Sequence, residues 1–562
     1  MKKITTVGFL FALLLAVALG VHHLAFAQSE ASTNSPLLPF FVKTKTPATI
    51  PQSVTLPDPT GRIRSYQPGG PTTTSRNPFF SSTLGINGRS CLSCHQPQNG
   101  WSISPSAVQS IYQSTYGLDA LFQPVDGSNC PDLGAAASSF GPGFVAARSQ
   151  LFTKANIRID LPIPPNPEWV QLWVENDPYG CEQSVIYGVP AGFLNMYRRP
   201  LPSANVFFVQ PAGSVVPRCE QIVTFPFPPF CIPTISSFTS PEGTGSALFW
   251  DSRAPDLAFI FPDAVHRHGQ GTPAQIAALT SGPPPTDVDQ AVSFQQGIFT
   301  GQSFDSHAGD LTGHDGSGAN GGPELLGSLS CSDIDNCLPF GPTFLLGFGA
   351  LNQPQWTLYP PTFSLGTANQ KKAQRDSIVR GEKMFNGGLR FFVRGVAGFN
   401  DAPGVGDPFN SSCNTCHNMQ NIGNNFSLTP KHTGIGDNSF YSPDQAPAGQ
   451  LPPLPPTPDL PLFGFLCPQG SIPFFSNPVT INGTTYDRFE TTDPGTGLIT
   501  GKCADLGKFK VPILRGLASR APFFHGGNAS SLQDVVNFYD QRFSIELTPQ
   551  QKTDLVNFLN TL

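Results

Sequence analysis

The chain has 562 residues, which is enough to bury the cores of two or three domains. Its 38 acidic and 32 basic residues give a net charge of −6, and this balance argues against nucleic acid as a partner. The 56 glycines and 59 prolines make up about a fifth of the chain, which favours long irregular connections over dense regular structure.

The first segment has the pattern of a secretory signal peptide. Lys2 and Lys3 precede an apolar run over residues 7–19, and small residues at 25 and 27 form a cleavage site. We predict a signal peptide over residues 1–27 and a mature protein of 535 residues with a net charge of about −8. No later stretch approaches the length of a membrane span. Residues 28–75, rich in Pro, Thr and Ser, are expected to form an extended, weakly ordered N-terminal arm.

The pattern Cys-x-x-Cys-His occurs twice. Its residues are Cys91, Cys94 and His95 in the first copy, and Cys413, Cys416 and His417 in the second. This pattern attaches haem c, because the two thiols add to the vinyl groups of one porphyrin and the histidine reaches the iron. Structural zinc and redox disulfides remain as alternatives for paired cysteines. We predict two covalently bound haem c groups and, given the export signal, a bacterial-type periplasm.

Eight further cysteines remain, an even number that suggests up to four disulfides in an oxidising compartment. They are Cys130, Cys181, Cys219, Cys231, Cys331, Cys337, Cys467 and Cys503. Proximity in sequence favours Cys219 with Cys231 and Cys331 with Cys337. The connectivity stays open, since eight cysteines allow about 105 pairings.

Three helices are predicted in the last third of the chain. The first covers residues 373–385 and ends at the Asn-Gly-Gly run of residues 386–388. The second begins around Ser531, with an apolar face that includes Val536 and Tyr539. The third is capped by Thr548, with Pro549 at its first position.

These residues resemble the bacterial di-haem cytochrome c peroxidase superfamily, which includes the enzyme that matures the tryptophylquinone cofactor of methylamine dehydrogenase. The likeness is carried by the two haem motifs, by LFWDSRA at residues 248–254, and by VPILRG and APFFHGG within residues 511–527. The resemblance implies a mainly α fold of two cytochrome c-like haem domains with long irregular loops and insertions. The N-terminal, peroxidatic domain is expected over residues 76–370 and the C-terminal, electron-transfer domain over residues 371–562.

The resemblance implies that His95 and His417 are the proximal iron ligands. Family peroxidases place a methionine ligand fourteen residues after the histidine of the APYFH segment, and here Tyr539 stands at that distance from His525. The tryptophylquinone-maturing enzyme is similar in using tyrosine there. A phenolate ligand favours ferric iron and a low potential. The alternative is an ordinary core tyrosine on an amphipathic helix.

The open side of the first haem departs from the family pattern. Family peroxidases can carry a capping histidine soon after the first motif, but this chain has no histidine between His95 and His266. The first haem is therefore expected to meet peroxide without reductive activation, with Met196 left open as a ligand.

Family peroxidases use a glutamate about twenty residues past the tryptophan of FWDGR as the acid/base for O–O cleavage. This chain has none there, and His268, eighteen residues past Trp250, is the first choice, with His266 and Asp263 behind it. The alternative is a solvated His-Arg-His loop.

The resemblance also assigns a role to residues around the haems. Trp250 is expected between the haems as a stepping stone for electrons, with an ordinary buried tryptophan as the alternative. Lys508, Lys510 and Arg515 are expected near the haem propionates, although surface charge is an alternative for the two lysines. The family also holds a calcium ion at the domain interface, partly through backbone carbonyls.

The expected function is that of a periplasmic di-haem c-type peroxidase. It would reduce hydrogen peroxide at the N-terminal haem with electrons relayed through the C-terminal haem, supplied by a small redox protein such as a cytochrome or a cupredoxin. Two alternatives stay open. One is a di-haem oxidase or oxygenase acting on a protein or organic substrate, such as the polyisoprene-cleaving enzymes that resemble this superfamily. The other is a pure electron-transfer cytochrome.

Overall fold

The structure, a computed structural model, describes residues 47–136, 141–182, 192–209, 215–223, 230–237, 248–328, 357–402, 405–417, 423, 429–436 and 458–562. The predicted signal peptide, the first part of the N-terminal arm and the proposed Cys331–Cys337 pair lie outside these residues. The structure describes only the backbone of the two strands that carry Cys219 and Cys231, so the predicted disulfide between them is outside the described side chains. No helix within the described ranges is both long and apolar enough to cross a membrane.

Short helices surround the two cysteine–histidine motifs. In chain order within the described residues, the α-helices are α1 (Pro105–Thr115), α2 (Pro124–Gly127), α3 (Pro131–Ala136), α4 (Pro142–Ala146), α5 (Ser149–Lys154), α6 (Leu257–Arg267), α7 (Pro273–Leu279), α8 (Asp287–Gln296), α9 (Glu324–Ser328), α10 (Asn369–Lys383), α11 (Cys413–Cys416), α12 (Gly497–Thr500), α13 (Leu532–Arg542) and α14 (Pro549–Leu559).

The three predicted C-terminal helices are present. Helix α10 begins at Asn369, four residues before the predicted start, and the chain leaves the helical path at Gly387, whose φ is 107°. Ser531 caps α13 by accepting a hydrogen bond from a backbone N–H of the first turn, and Thr548 caps α14 in the same way. Local cap chemistry therefore predicted these helix starts correctly.

Sixteen strands lie in the described residues: β1 (Thr49–Ile50), β2 (Ser53–Asp58), β3 (Gly61–Tyr66), β4 (Thr72–Thr73), β5 (Ile157–Pro162), β6 (Gln171–Asn176), β7 (Phe193–Arg198), β8 (Val215–Val223), β9 (Phe230–Ser237), β10 (Phe299–Asp305), β11 (Gly309–Asp310), β12 (Phe391–Val393), β13 (Phe409–Ser411), β14 (Leu462–Pro468), β15 (Pro478–Ile481) and β16 (Thr484–Thr491). They form two four-stranded sheets, with strand orders β11-β10-β3-β2 and β15-β16-β14-β6, and four two-stranded pairs, all antiparallel.

The expectation of a mainly α fold is wrong. The structure is 35% helical and 19% strand, with several antiparallel sheets. The glycine and proline content favoured irregular connections between the two motifs and around them. Some of these connections instead form hairpins. Strand β16, for example, buries Asp487, Phe489 and Thr491 at alternate positions, which is the pattern of a strand with one face in a core.

The described part of the expected N-terminal arm is also more regular than the sequence suggested. Strands β2 and β3 form a hairpin, and β3 pairs along β10, more than two hundred residues later. Ile63 in β3 is 1% exposed, and the hydroxyl of Ser65 accepts a 2.8 Å hydrogen bond from the indole of Trp101. Long-range pairing orders a segment that carries little local signal.

Helices α10 and α14 pack closely beside the second haem motif. A Cβ on Gly381 of α10 would overlap the backbone carbonyl oxygen of Asp554 in α14. Ser377 and Arg380 of α10 donate hydrogen bonds of 2.6 and 2.7 Å to the Asp554 carboxylate. The contact joins the two helices that frame the second motif in a single apolar core, which includes Phe385.

Two disulfides lie in the described residues, Cys130–Cys181 and Cys467–Cys503. The four cysteines of the two Cys-x-x-Cys-His motifs form no disulfide. Disulfides are thus present, as predicted for an oxidising compartment, and they spare the thiols that haem attachment requires.

Candidate haem centres

The first motif holds its histidine in one orientation. Residues Cys91–Ser93 form a single 3₁₀ turn, capped by reciprocal hydrogen bonds between Ser90 and Ser93. Nδ1 of His95 lies 2.9 Å from the carbonyl oxygen of Trp101. A carbonyl can only accept, so Nδ1 carries the proton and Nε2 is left with a lone pair for a metal. Burial lowers the pKa of His95 to about 4, which keeps the ring neutral near pH 7.

The second motif repeats this arrangement. Helix α11 is capped by Ser412 and Thr415, and Nδ1 of His417 lies 2.6 Å from the carbonyl oxygen of Gly423. Burial lowers the pKa of His417 to about 4. Both motifs therefore offer two thiols that form no disulfide and a neutral imidazole with one available nitrogen.

Each motif borders its own cavity. The N-terminal cavity, lined by Cys91 and His95, encloses about 1180 Å³ of empty space, part of it open to solvent. A smaller recess of about 640 Å³, lined by Cys91, Cys94 and His95, shares several of its residues. The C-terminal cavity, lined by Cys413, Cys416 and His417, has about 1660 Å³ of empty space, part of it also open to solvent.

The residues present fit haem c at both places. The cavity walls are mostly apolar side chains, as a porphyrin ring requires, and cysteines outside any disulfide lie at the wall beside the histidine. Buried cations also face the cavities, which suits the two carboxylates that each haem carries. Arg199 and Lys510 line both cavities, and Arg253 lines the N-terminal one.

Trp250 lies in the wall between the two cavities and lines both. Its indole N–H donates a 2.8 Å hydrogen bond to the carbonyl oxygen of Arg199. Its ring packs edge-to-face against His525 with centroids 6.2 Å apart, and His525 in turn stacks on Phe509 at 4.0 Å. Next to Trp250, the fully buried Asp251 forms an ion pair with Arg198. These contacts fix the indole in the shared wall.

Tyr539 lines the C-terminal cavity together with the second motif. It lies on α13, its hydroxyl hydrogen-bonds the side chain of Thr433, and its ring stacks on Phe543 with centroids 6.0 Å apart. Burial raises the pKa of Tyr539, so the phenol is protonated unless a cation is bound beside it. A ferric ion would reverse that preference and favour the phenolate.

The structure separates the two histidines of the His-Arg-His segment. His268 lines the N-terminal cavity and the recess beside Cys94, whereas His266 is exposed and lies 3.3 Å from the carbonyl oxygen of Gly271. Asp263 points to Arg267 on the outside of α6. Met196, the other candidate ligand, is fully buried and does not line either cavity.

Two residues beside His268 were missed by sequence reasoning. Asp126 in α2 contacts Nδ1 of His268 with one carboxylate oxygen and Arg89 with the other. Burial lowers the pKa of His268 to about 4, and the charge of Arg89 acts in the same direction, which leaves the ring neutral and able to accept a proton. No local signal ties Asp126 to a histidine that follows it by 142 residues.

The three expected propionate partners separate in space. Lys510 lines both cavities, and burial together with Lys431 lowers its pKa to about 7. Lys508 lies outside the cavity walls and pairs with Asp505 at 3.0 Å. Arg515 is fully buried, away from the two cavity walls, with its charge near Tyr359 and Glu382. Lys431, which the sequence did not single out, lines the C-terminal cavity.

Within the described ranges, no group of three or more His, Cys, Asp or Glu side chains is arranged to hold a metal ion. A calcium site built from backbone carbonyls would not require such a group. The calcium expectation therefore stays a prediction.

Comparison with known proteins gives partial matches. No family model matches the chain. It is 33% identical over 93 residues to cytochrome-c peroxidase IdrP1 of Pseudomonas sp. (strain SCT), covering 14% of this chain and 24% of that protein. It is 32% identical over 95 residues to cytochrome c551 peroxidase of Nitrosomonas europaea, covering 15% of this chain and 28% of that protein. A third relative, cytochrome-c peroxidase IdrP2 of Denitromonas iodatirespirans, is 41% identical over 78 residues, covering 13% of this chain and 21% of that protein.

The chain thus spans about a quarter of the length of the curated relatives that it matches. The matched relatives are named cytochrome c peroxidases, and the resemblance predicted from the sequence is confirmed to that extent.

Proposed function

We propose that the protein is an exported di-haem c-type peroxidase that reduces hydrogen peroxide at an N-terminal haem, with electrons relayed through a C-terminal haem. The single observation that supports this most is the pairing of two motif-lined cavities across one wall that contains Trp250. We assign residues 76–370 to the peroxidatic domain and 371–562 to the electron-transfer domain. The donor is proposed to be a small periplasmic cytochrome or cupredoxin.

The reaction balances when the proposed donor supplies two electrons. Hydrogen peroxide takes up two electrons and two protons and leaves as two molecules of water. Bound haem would supply the redox chemistry, and the protein supplies ligands, orientation and proton transfer. His268 is assigned as the acid/base that takes a proton from one peroxide oxygen and returns it to the departing one, so that the O–O bond breaks heterolytically.

The C-terminal centre is assigned to electron transfer. His417 would bind the metal from one side, and Tyr539 is proposed as the second protein ligand. Lys510 and Arg199 would pair with haem carboxylates in the shared wall, in a region from which surrounding side chains exclude most solvent.

A spectrum of the resting ferric protein tests the proposal. We expect a high-spin component from the N-terminal haem, altered by peroxide, and a low-spin component from the C-terminal haem that peroxide leaves in place. Steady-state oxidation of a reduced cytochrome should then consume two electrons per peroxide. A protein with one haem per chain, or with an entirely low-spin spectrum that neither peroxide nor carbon monoxide changes, contradicts it. The second result would favour a pure electron-transfer cytochrome.

One observation favours a second candidate function. Tyr539 lines the C-terminal cavity, and a hard anionic ligand there favours high oxidation states that could serve to oxidise an organic or protein substrate. The same experiment separates the two candidates. If peroxide changes the spectrum but reduced cytochrome is not consumed, an oxidase or oxygenase of a larger substrate is the better assignment.

A further inference from the structure

His268 is held at one ring nitrogen by a buried carboxylate. It caps the C-terminal end of α6, and its Nδ1 contacts Oδ2 of Asp126. The Asp126 side chain is 8% exposed, while that of His268 is 30% exposed. The carboxylate is thus enclosed by protein, whereas the imidazole borders both the N-terminal cavity and the adjoining recess.

The carboxylate is itself fixed by Arg89, whose side chain is 5% exposed. Besides its ion pair with Asp126, the guanidinium donates hydrogen bonds of 2.8 to 3.2 Å to four backbone carbonyl oxygens. Those oxygens belong to Ala120, Leu121, Gln123 and His268. A buried guanidinium with these fixed partners defines the position of Asp126 more narrowly than a surface ion pair would.

The same contacts join the haem-attachment segment to the His268 turn. Arg89 precedes Cys91 by two residues. Nδ2 of Asn87 donates a 2.7 Å hydrogen bond to the carbonyl oxygen of His268, and a Cβ on Gly85 would overlap the backbone of Gly269. The position of the His268 turn relative to the segment that carries Cys91 is thus fixed by direct contacts.

We infer that Asp126, anchored by Arg89, is the positioning residue for His268. Its carboxylate accepts a hydrogen bond from Nδ1–H and leaves Nε2 as the nitrogen available to a ligand in the N-terminal cavity. This inference rests on the proposed function for its role in peroxide reduction. The geometry gives the histidine one tautomer and one orientation, and the carboxylate stabilises the imidazolium that forms when Nε2 takes up a proton. A buried ion pair with no catalytic role would need Arg89 and Asp126, but would not need the contact to His268.

Cyanide binding tests the inference without depending on peroxidase turnover. Cyanide reaches ferric haem as the neutral acid and must give up its proton, so a distal base accelerates binding. The association rate of cyanide with the ferric holoprotein, and that of peroxide, should be measured against pH for the wild type, Asp126→Asn, His268→Gln and the double variant. We expect Asp126→Asn to slow both reactions about 10- to 100-fold, and His268→Gln to slow them at least as much.

The double variant is the decisive comparison. If Asp126 acts through His268, adding Asp126→Asn to His268→Gln causes little further loss, because the two residues act as a unit. In Asp126→Asn alone, the acid limb of the rate profile should also move to lower pH, since the imidazolium has lost its anionic partner. Asp160→Asn, which removes an exposed carboxylate near the end of α6, is the matched control and should leave the rates unchanged.

Equal losses from Asp126→Asn in both backgrounds, or an unshifted pH profile, would overturn the inference and leave a structural ion pair. If Asp126→Asn fails to load haem, Asp126→Glu gives the same test, because it keeps the charge and displaces the carboxylate. If the variants change cyanide binding as expected but the wild type does not turn over peroxide, the proposed function is contradicted and the positioning role of Asp126 still stands.

Discussion

At the scale of single residues, the two motifs determine the chemistry and their backbone partners determine its geometry. His95 and His417 each face a carbonyl oxygen through Nδ1, and each has Nε2 available for iron. The difference between the two centres lies in the other residues of their cavities. The N-terminal cavity has His268 with its carboxylate partner, and the C-terminal cavity has Tyr539 on α13.

Tyr539→Phe tests the proposed ligand. Loss of the phenolate should convert the C-terminal haem from low-spin to high-spin and raise its midpoint potential, because an anionic donor stabilises the ferric state. Electron paramagnetic resonance and a redox titration of the holoprotein measure both effects. Tyr486→Phe removes a hydroxyl from β16 and is the control, with an unchanged spectrum expected. An unchanged spectrum for Tyr539→Phe would show that Tyr539 is an ordinary core tyrosine and not an iron ligand.

At the scale of elements, the contact between α10 and α14 holds the second motif in place. The two helices approach so closely at Gly381 that a larger side chain cannot be accommodated, and the Asp554 carboxylate links them through Ser377 and Arg380. The short distance between α10 and α14 thus depends on Gly381, which has no side chain, and on the buried charge of Asp554.

Gly381→Ala should destabilise the protein although alanine favours helices. The intrinsic gain of about 1 kcal/mol is outweighed by overlap with the backbone of α14, for a net loss of about 1–3 kcal/mol in the free energy of unfolding. Urea unfolding followed by circular dichroism measures the change. Gly143→Ala in α4, where a Cβ would meet nothing, should be neutral or stabilising. A stabilised Gly381→Ala would contradict the close approach of the helices.

Asp554→Asn should lower stability in a pH-dependent way. Burial alone would raise the pKa of Asp554, but hydrogen bonds from Arg380, Ser377 and Gln550 hold it below its usual value. The stability from the ionised form is therefore complete above the unfolded-state pKa and is lost as the pH falls through the folded-state pKa.

We expect Asp554→Asn to cost about 1 kcal/mol near pH 7, since Arg380 is half exposed, and the difference from the wild type to shrink below about pH 4. Urea unfolding at several pH values measures it. Asp376→Asn, which removes an (i, i+4) partner of Lys372, should cost less than about 0.5 kcal/mol. If the loss of stability in Asp554→Asn grows as the pH falls, the predicted direction of this pH dependence is wrong.

At the scale of the whole molecule, the two cavities are joined by residues from distant parts of the chain. The shared wall includes Arg199, Trp250 and Lys510. Behind it, Arg198 pairs with both Asp251 and Asp493, and strand β6 pairs with β14. The Arg198–Asp493 ion pair and the β6–β14 pairing cross the expected boundary near residue 370. The wall itself also takes Trp250 from the first part of the chain and Lys510 from the second.

Trp250→Phe tests whether the wall carries electrons. Phenylalanine keeps an aromatic ring, but it is harder to oxidise and lacks the indole N–H that donates to the carbonyl oxygen of Arg199. Electron transfer between the haems should therefore slow severalfold, while both haems are retained. Rapid mixing of the half-reduced protein with peroxide, followed at the absorption of each haem, measures the rate. Trp169→Phe changes a buried tryptophan that lines neither cavity, and this control should leave the rate unchanged. An equal rate in Trp250→Phe would exclude the indole as a stepping stone.

The sequence alone determined the features that depend on local chemistry. The haem motifs, the capped helices α13 and α14 and the stop of α10 all follow from short patterns in which neighbouring residues satisfy each other. The sequence did not predict the antiparallel sheets. Some of their pairings are local hairpins, such as β2–β3 and β15–β16, but the pairings that complete each four-stranded sheet, β3–β10 and β6–β14, join strands separated by more than two hundred residues. Strand β3, which gives little local signal, is ordered by β10.

Only the tertiary structure decided which polar residues face the haem cavities. Of the two histidines on one short segment, the fold directs His268 to the cavity and His266 to the surface, and it supplies Asp126 from a different helix. It also brings Lys510 to the shared wall and leaves Lys508 outside it. The physical reason is that side-chain direction and charge pairing across long stretches of chain are set by packing, which short sequence patterns do not encode.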